Sequence, residues 1–224
     1  LHVLPLVIFL RFKNVYILGF DCTGNRKYDF NTQCNYLKYH LPPLMKEIKK
    51  NLSPYTKIIA VTKTLSSKSI ESAFNKKIYL IGESKIQETE IKIKELKEET
   101  RKKIKLHFIG NLQTNKIKKA VRIFDVIETI YTLKQLIKVD LEAKKINKKQ
   151  NFLFQVNIGK DIKKRGVYIK ELDFLINECE KYKNIKPIGL MTILPQHINN
   201  KQQQQYYEKM TKILIKIKNT HPQY

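Results

Sequence analysis

The residue with the most chemistry open to it is Lys63, near the end of the apolar run Ile58-Ile59-Ala60-Val61-Thr62-Lys63-Thr64. Alternation along a strand puts Ile59, Val61 and Lys63 on one face. A lysine on the inward face of a buried strand is hard to keep charged, because burial disfavours the ammonium relative to the neutral amine. A neutral amine is a nucleophile and condenses with a carbonyl to a Schiff base. The competing reading is that Lys63 marks the end of the strand and lets its ammonium reach solvent along an apolar stem. The strand alone does not choose between them.

The other chemically capable residues have structural readings close at hand. His107 precedes an apolar strand segment and reads as a structural histidine. Gln113, Asn115 and Lys116 open a helix, so capping competes with ligand contact. Glu83 reads as the partner of a nearby lysine. Cys22, Cys34 and Cys179 make no C-x-x-C pair and no zinc spacing, which points to free thiols in a reducing compartment. The seven glycines are scattered, and no G-x-G-x-x-G or Walker-type run appears.

The elements that would position these residues follow one rhythm. Strand-like runs at 58–64, 78–83, 105–110, 126–130, 151–157 and 185–193 alternate with helical patterns. Ile70, Ala73 and Phe74 share one helical face. So do Ile117, Ala120, Val121 and Phe124, and likewise Leu133, Leu136, Ile137 and Leu141. Two further stripes carry Ile169, Leu172, Leu175, Ile176 and Cys179, then Tyr206, Met210, Ile213, Leu214 and Ile217. Six βα units in series make parallel strands covered on both faces. An open doubly wound sheet and most of a barrel both satisfy the pattern. Polar residues gather where each strand ends, at Lys63-Thr64, Glu83-Ser84, Gly110-Asn111, Glu128-Thr129, Asn157 and Met191-Thr192. In a barrel those ends converge on one mouth. Pro42-Pro43 opens a short helix through Leu52, and Gln202–Gln205 reads as solvated filler at the start of the last helix. Residues 1–40 lack a clear rhythm after Phe20 and read as an N-terminal extension, with the barrel domain at 41–224.

Composition excludes little. The 44 Lys and Arg against 20 Asp and Glu leave a formal charge of +24, but only five of the basic residues are Arg. Nucleic-acid readers favour Arg for bidentate and stacked contacts, so dispersed lysines read as a solvated surface. Leu1–Phe20 is apolar but interrupted by Arg11, Lys13 and Asn14, so no membrane span is expected.

Five motifs then resemble one family, the pyridoxal phosphate homeostasis proteins, which share the alanine racemase N-terminal-like barrel. Ala60-Val61-Thr62-Lys63-Thr64 is similar to that family's cofactor-lysine strand. Ile81-Gly82-Glu83-Ser84-Lys85-Ile86-Gln87-Glu88 resembles its F-G-E-N-Y-V-Q-E. His107-Phe108-Ile109-Gly110-Asn111-Leu112-Gln113-Thr114-Asn115-Lys116 resembles its H-F-I-G-x-L-Q-x-N-K, the most specific of the set. Gln155-Val156-Asn157 with Lys164 and Gly166, and Gly189-Leu190-Met191-Thr192-Ile193, follow in the family's order.

The resemblance implies a TIM-type (β/α) barrel that carries pyridoxal 5'-phosphate (PLP) as a Schiff base on Lys63, without robust catalysis and without a metal. It implies a cytoplasmic, monomeric protein of vitamin B6 homeostasis, with PLP-dependent apoenzymes as candidate recipients. Ser84, Gly110, Asn157, Met191 and Thr192 are the further cofactor-binding candidates it points to. Racemases of this fold need a second acid/base that a separate β domain helps to supply, and residues 194–224 are too few for another domain. The departures are Ser84 and Lys85 in place of the family's Asn and Tyr, and Ile158-Gly159-Lys160-Asp161 in place of its T-S-G-E. The family's later phosphate-holding loop and final strand have no counterpart before Tyr224. The expectation is therefore a barrel with about six of its eight strands and two open edges. Three alternatives stand beside the carrier: a PLP-dependent racemase-like enzyme, a basic nucleic-acid-binding protein, and a fragment that binds nothing, which the missing phosphate loop favours.

Overall fold

The computed structural model describes residues 57–195 and 198–223, together with the backbones of two strands, β1 (Val7–Arg11) and β2 (Val15–Gly19). The expected helix at Pro42–Leu52 lies outside the described residues. The six expected strands are β3 (Lys57–Val61), β4 (Leu80–Glu83), β5 (Lys105–Phe108), β6 (Val126–Ile130), β7 (Gln150–Val156) and β8 (Ile185–Ile193). Each pairs in parallel with the next. Helices α1 (Ser67–Asn75), α2 (Ile86–Glu95), α3 (Glu98–Lys103), α4 (Ile117–Ile123), α5 (Leu133–Lys144) and α6 (Ile169–Cys179) fill the connections, and α7 (Asn200–Thr220) follows β8. The sequence pattern did not single out α2 and α3, which together span β4 to β5.

Six parallel strands curl without closing, and their two edges would expose rows of unpaired N–H and C=O groups. Both edges are occupied. β1 lies antiparallel to β8, from Val7 opposite Ile193 to Arg11 opposite Gly189. β1 turns back antiparallel into β2, and β2 runs parallel to β3 from Tyr16 opposite Lys57 to Gly19 opposite Ala60. The strand order β1 to β8 thus closes into a barrel. The open edges expected from the sequence are corrected here: an N-terminal hairpin takes the two remaining places, because every backbone donor and acceptor on β3 and β8 needs a partner.

Alternation sorts the strand side chains into two layers. Ile59, Val61, Leu153 and Met191 pack inside the barrel, joined by Leu80, Ile109, Ile188 and Ile193. The intervening residues Ile81, Phe108, Ile127, Phe152, Phe154 and Leu190 face the helices and form the larger core. Phe108 meets Phe124 edge-on at 5.1 Å, and Phe152 meets Phe154 at 5.0 Å. Each such ring buries apolar surface in the range of about 1.5–3 kcal/mol.

Two local expectations are revised. On α5 the buried stripe is Leu136, Val139, Asp140 and Ala143. Ile137 and Leu141, expected inside, are 37% and 48% exposed. Apolar residues at helical spacing line both faces, and the face bearing Leu136, Val139 and Ala143 is the one turned inward. Gln202 is not filler. Its side chain accepts from the Asn199 backbone N–H while the Asn199 side chain accepts from the Gln202 N–H, a capping box that starts α7.

Candidate functional site at the barrel mouth

Strand β3 stops at Val61, three residues short of the expected reach to Thr64, so Lys63 sits on a turn rather than on the strand face. The Thr62 N–H still donates to Gly82 O at 3.1 Å, and the Leu65 N–H donates back to Thr62 O at 3.1 Å. That closes a four-residue turn with Lys63 and Thr64 at its centre. Thr64 has φ of 64°, in the left-handed region that a β-branched residue avoids. Its hydroxyl donates to Lys63 O at 2.6 Å. Strain of this kind costs on the order of 1–3 kcal/mol and persists only where the surroundings enforce it. Lys63 itself is half-buried.

The other predicted residues share this end of the barrel, since each lies near or beyond the C-terminal end of its strand. Ser84 directly follows β4, and Gly110 lies just past β5. A Cβ on Gly110 would stand 2.2 Å from Ser84 O, so this glycine lets the β5 end touch the backbone of the β4 end. Met191 joins the interior cluster beneath the mouth. Thr192 is buried and donates its hydroxyl to Val156 O at 2.8 Å, which ties β8 to β7. Asn157 organises the loop after β7. Its amide donates to Asp161 O and Lys164 O, and its carbonyl accepts from the Asp161 N–H.

Several residues at or near the mouth carried no chemical role in the sequence reading. Tyr131, just past β6, donates to Asn111 Oδ1 at 3.1 Å and accepts from the Arg165 guanidinium at 3.3 Å. This chain links the loops after β5, β6 and β7. The Lys164 ammonium donates to Leu194 O and pins the β7 loop to the end of β8.

Two buried polar groups lie between strands. Inside the barrel, His107 Nδ1 meets Glu128 Oε1, both almost fully buried, while Glu128 Oε2 has no hydrogen-bond partner among the described residues. On the helix side, Glu83 is fully buried against Lys92 of α2. Burial pushes the Glu83 carboxyl above the usual carboxylate range, against the opposing pull of Lys92 and the Thr62 hydroxyl. The sequence reading paired Glu83 with some lysine but did not identify Lys92. The signal was present: Lys92 shares a helical stripe with Ile86, Thr89 and Leu96, and a lysine in such a stripe needs a buried partner.

Residues 45–224 match the family model for the alanine racemase N-terminal domain. The pyridoxal phosphate homeostasis protein of Synechocystis is 38% identical over 69% of this chain and 70% of its own length. That of Aquifex aeolicus is 30% identical over 70% of this chain and 68% of its own. Among solved structures, PipY of Synechococcus elongatus with PLP bound superposes with a TM-score of 0.73 at 23% identity, over 80% of this chain and 82% of PipY. Alanine racemase of Clostridium difficile in complex with cycloserine gives 0.66 at 14% identity, over 97% of this chain but 52% of the racemase. These two structures bear on the fold, which is the barrel described above. The chain belongs to the alanine racemase N-terminal domain family and, within it, to the pyridoxal phosphate homeostasis proteins.

Proposed function

We propose that this protein binds PLP at the barrel mouth and holds it on Lys63 as a carrier in vitamin B6 homeostasis, with no robust catalysis of its own. The observation that carries the reading is the turn bearing Lys63 at the end of β3, with the neighbouring Thr64 held in the left-handed region. Family relatives bearing the name pyridoxal phosphate homeostasis protein, and PLP bound in PipY, support the choice of ligand.

The residues at the mouth fit an anionic aldehyde. Lys63 Nζ would condense with the aldehyde carbon, forming a C=N bond and releasing one water. Arg165, oriented by Tyr131, offers a planar donor suited to phosphate oxygens. Ser84 and the backbone around Gly110 would line the β4–β5 side, and Met191 would form the apolar floor. The hydrogen bonds of Asn157 and Thr192 are spent within the protein, so their part is to shape the wall. When bound, the cofactor supplies an electron-withdrawing ring conjugated to the lysine. Residues 41–224 would carry this site, with the N-terminal hairpin closing its barrel. We place the role in the cytoplasm, in a monomer that passes PLP to apoenzymes. Among the described residues, no helix is long and apolar enough to cross a membrane.

The test is borohydride reduction of the purified protein mixed with PLP, followed by mass mapping of the adduct. A dominant, saturable adduct at Lys63 that vanishes in Lys63→Ala is the expected result. Diffuse labelling over the 39 lysines, unchanged in the variant, overturns the reading.

A further inference from the structure

We infer that Lys92 is the positioning residue for Lys63: from behind the sheet, its ammonium fixes the carbonyl on which the Lys63 turn closes. The inference rests on the proposed role of Lys63 and adds a residue to it. Lys92 is 4% exposed and comes from α2, on the helix side of β3 and β4. Its Nζ lies 2.8 Å from Thr62 O, 2.8 Å from Glu83 Oε1 and 3.2 Å from Glu88 Oε1. Three acceptors match the three donors of one ammonium. Thr62 is gripped twice, because its hydroxyl also donates to Glu83 Oε1 at 2.6 Å.

The Thr62 carbonyl is the acceptor of the turn bond from Leu65, and Lys63 and Thr64 are the two residues that the bond encloses. Thr64 is in the left-handed region, so the turn is biased to relax unless its ends are held. A charge-assisted hydrogen bond to the closing carbonyl is a strong hold. A surface role would not need it: an ion pair for solubility has no reason to be buried or to spend a donor on one backbone oxygen. Burying an ammonium is also poor stabilisation in itself, since an apolar replacement of such a pair is often neutral or better. Retention of the pair is explained by what it holds.

The test compares Lys92→Met and the double variant Lys92→Met with Glu83→Gln. The double variant removes the ammonium without stranding a buried carboxylate. After Glu83→Gln the side-chain amide oxygen still accepts from the Thr62 hydroxyl, so the double variant stays folded if the single variant does not. Two quantities are read in the full chain. One is hydrogen exchange of the Leu65 amide in the cofactor-free protein, against amides of β6 as the reference. The other is PLP affinity, from the saturable adduct at Lys63. The expected result is exchange at Leu65 faster by on the order of tenfold with β6 unchanged, and affinity weaker by on the order of tenfold. A merely structural Lys92 would shift both sets of amides together. Leu65 exchange as in the parent overturns the inference, and so does unchanged affinity in a protein whose Lys63 adduct is intact. If the parent itself forms no Lys63 adduct, the carrier reading falls separately. The Leu65 amide then decides alone: selective acceleration supports the positioning role, and none overturns it.

Discussion

Gly110→Ala is the sharpest single test of how the mouth is built. The added methyl would stand 2.2 Å from Ser84 O and 2.9 Å from both Ser84 C and Cα. All three are backbone atoms of a strand end, with no flexible side chain to swing aside. The ends of β4 and β5 must part by roughly 1 Å to reach ordinary van der Waals contact. The bond from the Ile109 N–H to Glu83 O at 2.9 Å spans the gap that would open, while the Thr129 hydroxyl, donating to Gly110 O at 2.7 Å, ties the β5 end to β6 and resists its displacement. Overpacking of this kind costs about 1–3 kcal/mol, and a weakened buried hydrogen bond adds about 1. A total near 3 kcal/mol lowers the melting temperature by about 6–12 °C for a domain of this size. Gly82→Ala is the control. Its methyl would meet only side-chain carbons, Ile59 Cγ2 at 3.2 Å and Ile109 Cδ1 at 3.3 Å, which can yield a few tenths of an ångström. Its expected cost is below about 1.5 kcal/mol. Thermal unfolding of the two variants beside the parent reads the difference. Gly110→Ala melting within a degree or two of the parent, or Gly82→Ala suffering more, refutes the close approach of the two strand ends.

Three further outcomes follow from named contacts. Removing Glu128 by Glu128→Leu strands His107 in the barrel interior and should cost about 1–3 kcal/mol, while His107→Leu combined with Glu128→Leu should cost less than the two single changes added together. Urea unfolding of the four proteins tests it, and additivity within about 0.5 kcal/mol would show no coupling. Hydrogen bonds from Lys145 and Lys138 hold the Glu142 carboxyl below its ordinary value of 4.5. A carboxyl depressed by folding contributes stability above its unfolded pKa and loses it as pH falls through the folded one. The stability difference between parent and Glu142→Gln should therefore be constant above about pH 5 and shrink below 4.5, as followed by denaturant unfolding at stepped pH; a constant difference throughout the acid limb contradicts the assignment. Asn157→Ala removes three hydrogen bonds from the loop at 157–166 and should speed tryptic cleavage there, at Lys160, Lys163, Lys164 or Arg165, with parent-like cleavage refuting its organising role.

The fold was legible because its signal is repetitive. Ile59 and Val61 alternate as a strand requires, Met210, Leu214 and Ile217 recur as a helix requires, and each pattern reports burial directly. What was not legible depends on partners far along the chain. The hairpin that closes the ring pairs Val7 with Ile193, and no local rhythm encodes a contact of that span. The end of β3 was misplaced because composition continues smoothly through Thr62 and Lys63, whereas the turn is set by Leu65 reaching back to Thr62. On α5, Ile137 and Leu141 matched the template as well as Val139 and Ala143 did, and only packing against a neighbour separates two equally apolar faces. Lys92 was overlooked because a lysine in a lysine-rich chain attracts no notice until its depth is known.

Polar residues at strand ends have two explanations, that loops begin there and that a site is built there. Hydrogen bonding separates them residue by residue. Thr192 and Asn157 direct their side-chain bonds to neighbouring backbone, which is what a strand end needs to stop cleanly. The Lys63 turn is different in kind. Its β-branched Thr64 adopts a conformation that such a residue disfavours, and a buried ammonium from the opposite face of the sheet grips the carbonyl that closes it. A terminus needs neither feature to end a strand. Strain held in place by a buried ionic network is what a side chain of fixed direction needs, and that combination at the end of β3 is the ground on which we propose Lys63 as the residue that bears the cofactor.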